Sequence, residues 1–416
     1  MGEPRSKPFD ISKRLVWEAY RKVAANQGAA GVDGESIEQF EADLKNNLYK
    51  LWNRLSSGSY FPPPVRAVEI PKKAGGVRVL GVPTVADRIA QTVVCMVLEP
   101  QVEPVFHPDS YGYRPGRSAH DALAVTRTRC WENNWVLDMD IRAFFDTIDH
   151  NLLMRAVEHH TRLPWVLLCV RRWLAAPVQR SDGTLMHRDR GSPQGSAISP
   201  LLANLFMHYA FDAWMARTYP AIPFERYCDD VVLHCRSNAQ AEFIRDKIAA
   251  RLADCGLELH PTKTRLVYCK DANRPDSHEF EQFTFLGYTF RPRQSHNPTT
   301  GEFFVSFSPA VSRDNLVRIR RTIRGWRLHR RSDMTFSEMI TFINQHTAGW
   351  ITYYGRFYRS VLYAAFNGLN AFLVKWAMRK YKKLKRRKKQ AWAWLAGIAT
   401  RYPRLFAHWR FGVTPA

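Results

Sequence analysis

Phe224-Glu225-Arg226-Tyr227-Cys228-Asp229-Asp230-Val231-Val232-Leu233 is the stretch on which the reading of this chain turns. Two short apolar runs flank an acidic pair, the pattern of a β-hairpin with the acids at its tip. Adjacent carboxylates repel one another, so stability alone is a poor reason to place them there. A divalent cation removes the repulsion, because hard oxygen donors suit Mg²⁺. An ordinary surface turn also favours Asp, and these residues taken alone leave both readings open.

A second acidic strand decides between them. It runs from Trp135 through Val136-Leu137-Asp138-Met139-Asp140-Ile141 to Asp146. Alternation puts Val136, Asp138 and Asp140 on one face and Leu137, Met139 and Ile141 on the other. Asp140 thus ends a strand whose opposite face is apolar. An Asp on one strand and an Asp pair on a hairpin can hold two metal ions between them. Two such ions activate an attacking 3′-hydroxyl and stabilise a leaving pyrophosphate, which is nucleotidyl-transfer chemistry.

The bulk composition fits a partner of negative charge. The 416 residues suffice for two or three domains, and 45% are hydrophobic. The formal net charge is +23, and it is concentrated. Residues 291–416 carry 25 basic against 4 acidic residues, whereas residues 1–290 are nearly balanced, 36 against 34. A local excess of that size reads as polyanion binding, nucleic acid before anionic membrane. The polar start, with Pro4 and Pro8, reads as no signal peptide. The most apolar stretch, Leu201 to Ala216, carries His208 and Asp212 and is too short and polar to span a bilayer. Seven scattered cysteines without a Cys-x-x-Cys pair fit reduced thiols in a cytosolic protein and argue against a zinc module.

Further motifs follow in order. They are Gly75-Gly76-Val77-Arg78-Val79-Leu80-Gly81-Val82-Pro83-Thr84 and Tyr111-Gly112-Tyr113-Arg114-Pro115-Gly116-Arg117-Ser118 before the Asp140 strand. After it come Arg190-Gly191-Ser192-Pro193-Gln194-Gly195-Ser196 running into an apolar helix, the Tyr227 hairpin, Gly256-Leu257-Glu258-Leu259 with Lys263-Thr264, and Phe285-Leu286-Gly287-Tyr288. On these seven motifs, ordered over nearly the whole chain, the sequence resembles bacterial group II intron reverse transcriptases, also called maturases. A lone Tyr-x-Asp-Asp is a weak signal; seven motifs in register are a specific one.

The resemblance implies an α+β right-hand polymerase: fingers and palm, a helical thumb and a basic helical C-terminal segment. Residues 1–60 would be a helical extension with a template-covering loop, 61–290 the fingers and palm, 303–365 the thumb or maturase region, and 366–416 a nucleic-acid-binding segment. Residues 291–302 read as a polar boundary loop. Asp140 and Asp229 would be the principal ligands of two Mg²⁺ ions (Mn²⁺ being an acceptable substitute). Asp230 would support them, and the Ile141 carbonyl would complete the coordination. Lys72 and Arg78 would grip the nucleotide triphosphate, where cations offset growing charge; as edge-strand residues they are also common solvated charges. Phe145 would exclude the ribose 2′-hydroxyl, with Phe144 as the alternative. Gln194 would touch nucleotide or template. Lys263 would stand near the triphosphate, or be a surface turn lysine. Ser196 and Cys228 depart from the glycine and alanine more common in the family.

Nucleic acid has its own candidates. Arg114 and Arg117, in a loop with aromatics, suit phosphates and bases. Lys382, Lys383, Lys385, Arg386, Arg387, Lys388 and Lys389 form a dense cationic run near Trp376, Tyr381, Trp392, Trp394 and Trp409. Cations with stacking rings suit RNA or single-stranded DNA; a solvated charge run is the bland reading. Ser312 to Arg331 reads as one helix with seven arginines from Arg318 onward. The expected partners are an RNA template, a DNA or RNA primer, deoxynucleoside triphosphates and group II intron RNA, with no membrane. A homodimer is compatible with this reading. The expected setting is bacterial cytoplasm, at the nucleoid, without the endonuclease module of some relatives. The competing function is a domesticated relative acting in DNA repair or phage defence without its own intron. A non-catalytic maturase is a second, and the intact acidic triad speaks against it.

Overall fold

The structure is a computed structural model that describes residues 7–71 and 76–415. Two compact units make up the chain. The first takes in residues up to Ser118, Leu137–Leu233 and Ala239–Arg265; the second takes in Ala119–Val136, His234–Asn238 and Leu266 onward. These units cut across the segments expected at 60, 290 and 366. Contacts made by residues distant in sequence set such a division, and composition along the chain does not report them.

In the first unit, three helices come first: Lys13–Ala25, Ile37–Ala42 and Leu44–Ser57. Each start or stop has a local cause. Ser12 accepts from Leu15 N, Ser36 and Gln39 form a capping box, and Gly58 ends the third helix at φ +74°. Strands Val65–Pro71 and Val77–Val82 then pair antiparallel, with Ile70 opposite Arg78. The helix Val85–Val102 runs through the core: Val85, Ile89, Val93, Val94 and Leu98 are fully buried. Each contributes about 1.5–3 kcal/mol relative to exposure. Strands Phe224–Tyr227 and Asp230–Cys235 pair antiparallel from Phe224↔Leu233 to Tyr227↔Asp230 and carry the acidic pair at their turn. Behind them the helix Ser199–Met207 widens into a π-turn, His208–Asp212, and resumes as Ala213–Thr218.

In the second unit, residues 291–296 are strand in place of the expected polar loop, and only 297–302 form the loop. Tyr288–His296 and Phe303–Val311 pair over nine positions, from Tyr288↔Val311 to His296↔Phe303. Pro292 is tolerated because Phe283–Phe285 pairs only with Tyr288–Phe290, leaving Pro292 with a neighbour on one side. The helix expected over Ser312–Arg331 is also shorter. Ser312 caps Arg313–Gly325, then the chain turns at Arg327, φ +49°, into a short 3₁₀ turn, Leu328–Arg330. Gly325 is a weak helix former and a natural stop. Helices Phe336–Tyr354, Ser360–Lys380 and Lys388–Arg401 follow. Two expected stacking rings belong to this unit's core: Trp376 and Trp409 are buried, and Trp376 Nε1 donates to the Arg331 carbonyl at 2.9 Å. Among the described residues no helix is long and apolar enough to cross a membrane.

Candidate active site

The acids meet as the hairpin requires. Tyr227 pairs with Asp230, and Cys228-Asp229 make the turn between them. Cys228 takes φ +62°, a left-handed conformation uncommon for a residue with a Cβ. Asp140 follows the last residue of the strand Trp135–Met139 and is clamped from the other side. His260 N donates to the Asp140 carbonyl at 2.7 Å, Arg142 N donates to the Glu258 carbonyl at 2.8 Å, and Ile141 bridges Leu259. Lys263 Nζ donates to Asp140 Oδ2 at 2.9 Å. The Gly256–Thr264 segment therefore holds the strand's acidic end in place.

The charges register one another. The Asp230 carboxyl is pushed up to about 7, first by loss of hydration and then by Asp229 and Asp140, with Lys263 opposing. Its side chain keeps an exposed outline, but the protein and charge around the carboxyl govern its protonation. Asp229 is also raised, first by burial, with Asp140 adding to the push and Arg78 opposing it. Asp138 is pushed up to about 7 as well, by burial, then by Asp230; Arg265 opposes, and Asp140 adds to the rise. Asp138 is a fourth carboxylate of the cluster that the sequence reading left without a role. Its signal was present: it lies two residues before Asp140 on the same strand face.

The fingers-side residues assemble on a glycine-rich loop. Arg78 Nε donates to Gln194 Oε1, and Gly81 N donates to the Gln194 carbonyl at 2.7 Å. Gly195 adopts φ +103°, and a Cβ there would stand 3.0 Å from the Gly81 carbonyl. Ser192 N donates to the Phe145 carbonyl at 2.7 Å, and Gly191 N to that of Ile148 at 2.7 Å. Phe144 is buried while Phe145 is partly exposed, with the two rings edge-on and their centroids 5.3 Å apart. Ser196 has a specific partner: its Oγ donates to Gln91 Oε1 at 2.6 Å. Tyr113 belongs here too. It is 59% exposed, its ring lies 6.1 Å from that of Tyr227, and its hydroxyl is raised by burial and by the nearby Cys228, Tyr227 and Asp229.

Other candidates fall outside this group. Lys72 lies outside the described residues. Arg114 is corrected: its guanidinium is buried and engaged by Glu103, by the His107 carbonyl at 2.7 Å and by the Ser110 carbonyl at 2.6 Å. A charge so enclosed braces its own loop and has no face for a phosphate. Arg117 is exposed, with its guanidinium 5.9 Å from the Tyr111 ring centre. Lys382, Lys383, Lys385, Arg386, Arg387, Lys388 and Lys389 are all exposed, in the second unit.

The donor set suits hard cations. Asp229 and Asp230, whose carboxyls are raised first by burial and then by neighbouring acids, offer Mg²⁺ the hard oxygen donors it prefers beside Asp140. Among the described residues no three His, Cys, Asp or Glu side chains are already drawn together as an ion cage. Mg²⁺ sites that serve phosphate chemistry do not need one, because the ion takes one or two carboxylates and completes its shell from substrate phosphates and water.

The family comparisons agree with this chemistry. Residues 70–290 match the model of the reverse transcriptase (RNA-dependent DNA polymerase) family, and residues 316–394 match the group II intron maturase-specific domain. Protein YkfC of Escherichia coli (strain K12) is 33% identical over 319 residues, which is 67% of this chain and 80% of that protein. The group II intron-encoded protein LtrA of Lactococcus lactis subsp. cremoris is 32% identical over 198 residues, 47% of this chain. A 91 kDa protein in the cob intron of Schizosaccharomyces pombe is 30% identical over 282 residues, 64% of this chain. The chain spans about a third of the length of these last two, 32% and 34%. It belongs to the reverse transcriptase (RNA-dependent DNA polymerase) family, in the group II intron type that joins this domain to a maturase-specific one.

Proposed function

We propose that the chain copies RNA into DNA at the Asp140–Asp229–Asp230 cluster and that it also binds group II intron RNA as a splicing cofactor. The observation that carries the first part is the convergence of three carboxylates with Arg78 and Lys263 inside the matched reverse transcriptase region. Asp140 and Asp229, with Asp230 and the Ile141 carbonyl in support, would hold two Mg²⁺ ions. Bound there, the ions supply Lewis-acid activation of the primer 3′-hydroxyl and charge neutralisation on the leaving pyrophosphate. Arg78, steadied by Gln194, grips the triphosphate, and Lys263 is placed to give a proton to the departing pyrophosphate. Phe145 lies against the sugar and selects deoxynucleotides. A right-hand polymerase with fingers, palm and thumb is the architecture that this reading implies. The second part rests on the maturase-specific match over residues 316–394 and on the cationic surface within and beside it. Primer extension on an RNA template with Mg²⁺ tests the first part: Asp229→Asn abolishes synthesis while RNA binding survives. Synthesis by that variant at the wild-type rate would overturn it. Filter binding of group II intron RNA against unrelated RNA of equal length tests the second.

A further inference from the structure

Arg226 stands immediately before the Tyr227 turn and is fully buried with its charge. Nothing in the chemistry above uses it. Its guanidinium is divided among three acceptors. Nε and Nη2 donate to the two Asp212 oxygens at 2.7 and 2.5 Å, with both partners of this ion pair 0% exposed. Nη1 donates to Asn204 Oδ1 at 3.0 Å and to the Cys228 carbonyl at 2.9 Å. A buried ion pair is weak evidence for stability, since both charges lose their hydration. This one also spends a donor on the backbone of the turn that presents Asp229.

The surroundings converge on the same turn. Asn204 Nδ2 donates to the Gly112 carbonyl at 2.7 Å. A Cβ on Gly112 would stand 2.6 Å from Cys228 N, so only glycine lets that loop lie against the turn. The Arg226 backbone is tied on both sides, N to the Asp109 carbonyl at 2.9 Å and its own carbonyl to Tyr111 N at 2.8 Å. Asp212 reaches Arg226 from the end of the π-turn His208–Asp212, an irregularity that recurs at functional sites. Arg251 supports that turn, donating to the Ala210 carbonyl at 3.1 Å and the Tyr209 carbonyl at 3.0 Å. Cys228 sits at φ +62°, and a strained conformation persists only where its surroundings over-determine it.

We propose that Arg226 is a positioning residue for the catalytic turn: its fork, neutralised by Asp212, holds the Cys228 carbonyl and so sets where Asp229 is presented to metal. The inference rests on reading Asp229 as a metal ligand. Lysine cannot replace the fork, because a single ammonium does not span a carboxylate, an amide and a carbonyl in one plane.

The test uses the full chain as Arg226→Lys and Gly112→Ala, beside wild type and Asp229→Asn. Gly112→Ala leaves the ion pair whole and displaces the turn from its other side, so whichever variant unfolds cooperatively is decisive. Mn²⁺ binding is read directly by the electron paramagnetic resonance of free ion, together with kcat for extension and the Kd for template-primer. Positioning predicts at least about fivefold weaker Mn²⁺ binding and about tenfold lower kcat with template-primer Kd unchanged. Wild-type Mn²⁺ affinity and kcat in the folded variants, with Asp229→Asn inactive, would overturn this inference alone and leave Arg226 a structural brace. Wild-type extension by Asp229→Asn would overturn the metal-ligand reading and this inference with it.

Discussion

Lys263 Nζ stands 2.9 Å from Asp140 Oδ2, an ion pair between a strand end and a turn 123 residues later. The lysine side chain is 58% exposed and the aspartate 32%. A pair so exposed contributes about 0–1 kcal/mol to stability, and Asp140 can exchange the ammonium for a metal ion at little cost. The lysine is then free to reach a phosphate. Lys263→Ala is expected to lower kcat about 100-fold, the scale of a lost general acid, and to shift stability by less than about 1 kcal/mol. Single-turnover extension and denaturant unfolding check the two halves. An unchanged rate would return Lys263 to a surface turn lysine.

Phe145→Ala is expected to admit ribonucleotides. Phe144 is buried and fills the core, whereas Phe145 is partly exposed on a backbone held by Ser192. Loss of a steric contact of this kind changes discrimination by about 10–200-fold. The ratio of ribo- to deoxynucleotide kcat/KM in the two proteins measures it. Relaxed selection in Phe144→Ala alone would shift the role by one residue.

The cationic run should supply much of the salt-sensitive affinity for nucleic acid. Deleting it would remove core packing as well, since Ala391, Leu395, Phe406 and Trp409 beyond it are buried. Substitution is cleaner: Lys382, Lys383, Lys385, Arg386 and Arg387 are exposed and can all become Gln. Each lost phosphate contact flattens the log–log salt slope by about 0.7 on single strands, so the fivefold variant should lose up to about 3.5 units of slope. RNA Kd values across a salt series decide this, and an identical slope would mark the run as a solvated surface.

His408 makes stability pH-dependent. Burial pushes its imidazole down to about 3, while Nε2 lies 2.8 Å from Asn370 Oδ1. The folded state holds it neutral and the unfolded chain protonates it below about 6.5. Its contribution is therefore present above 6.5 and lost as pH falls toward 3, at up to about 1.4 kcal/mol per unit. Asp87 acts in the opposite sense. Burial raises its carboxyl to about 6, so its contribution is present below 3.8 and lost as pH rises through 6. The difference between wild type and His408→Phe isolates the histidine. Urea unfolding between pH 7 and 5 should show wild type losing stability relative to the variant; parallel curves would contradict the assignment.

The amino-acid sequence by itself determined what neighbours along the chain decide. The acidic hairpin and the strand ending at Asp140 follow from alternation and turn chemistry. The order of the motifs carried the family, and the count of charges carried the basic last third. Tertiary structure alone decided which charges are available. Arg114 and Arg226 look like any exposed arginine in sequence, but the first is enclosed by Glu103 and the second by Asp212 and Asn204. Trp376 and Trp409 lie beside basic residues in sequence yet fill the core. The strand over Arg291–His296 exists because Phe303–Ser308 returns to pair with it. Asp138 has its raised protonation because the fold buries it and brings Asp230 beside it. The physical reason is common to all of these. Propensity and capping act over a few residues, whereas burial, pairing and electrostatic repulsion depend on groups that the fold brings together from far along the chain.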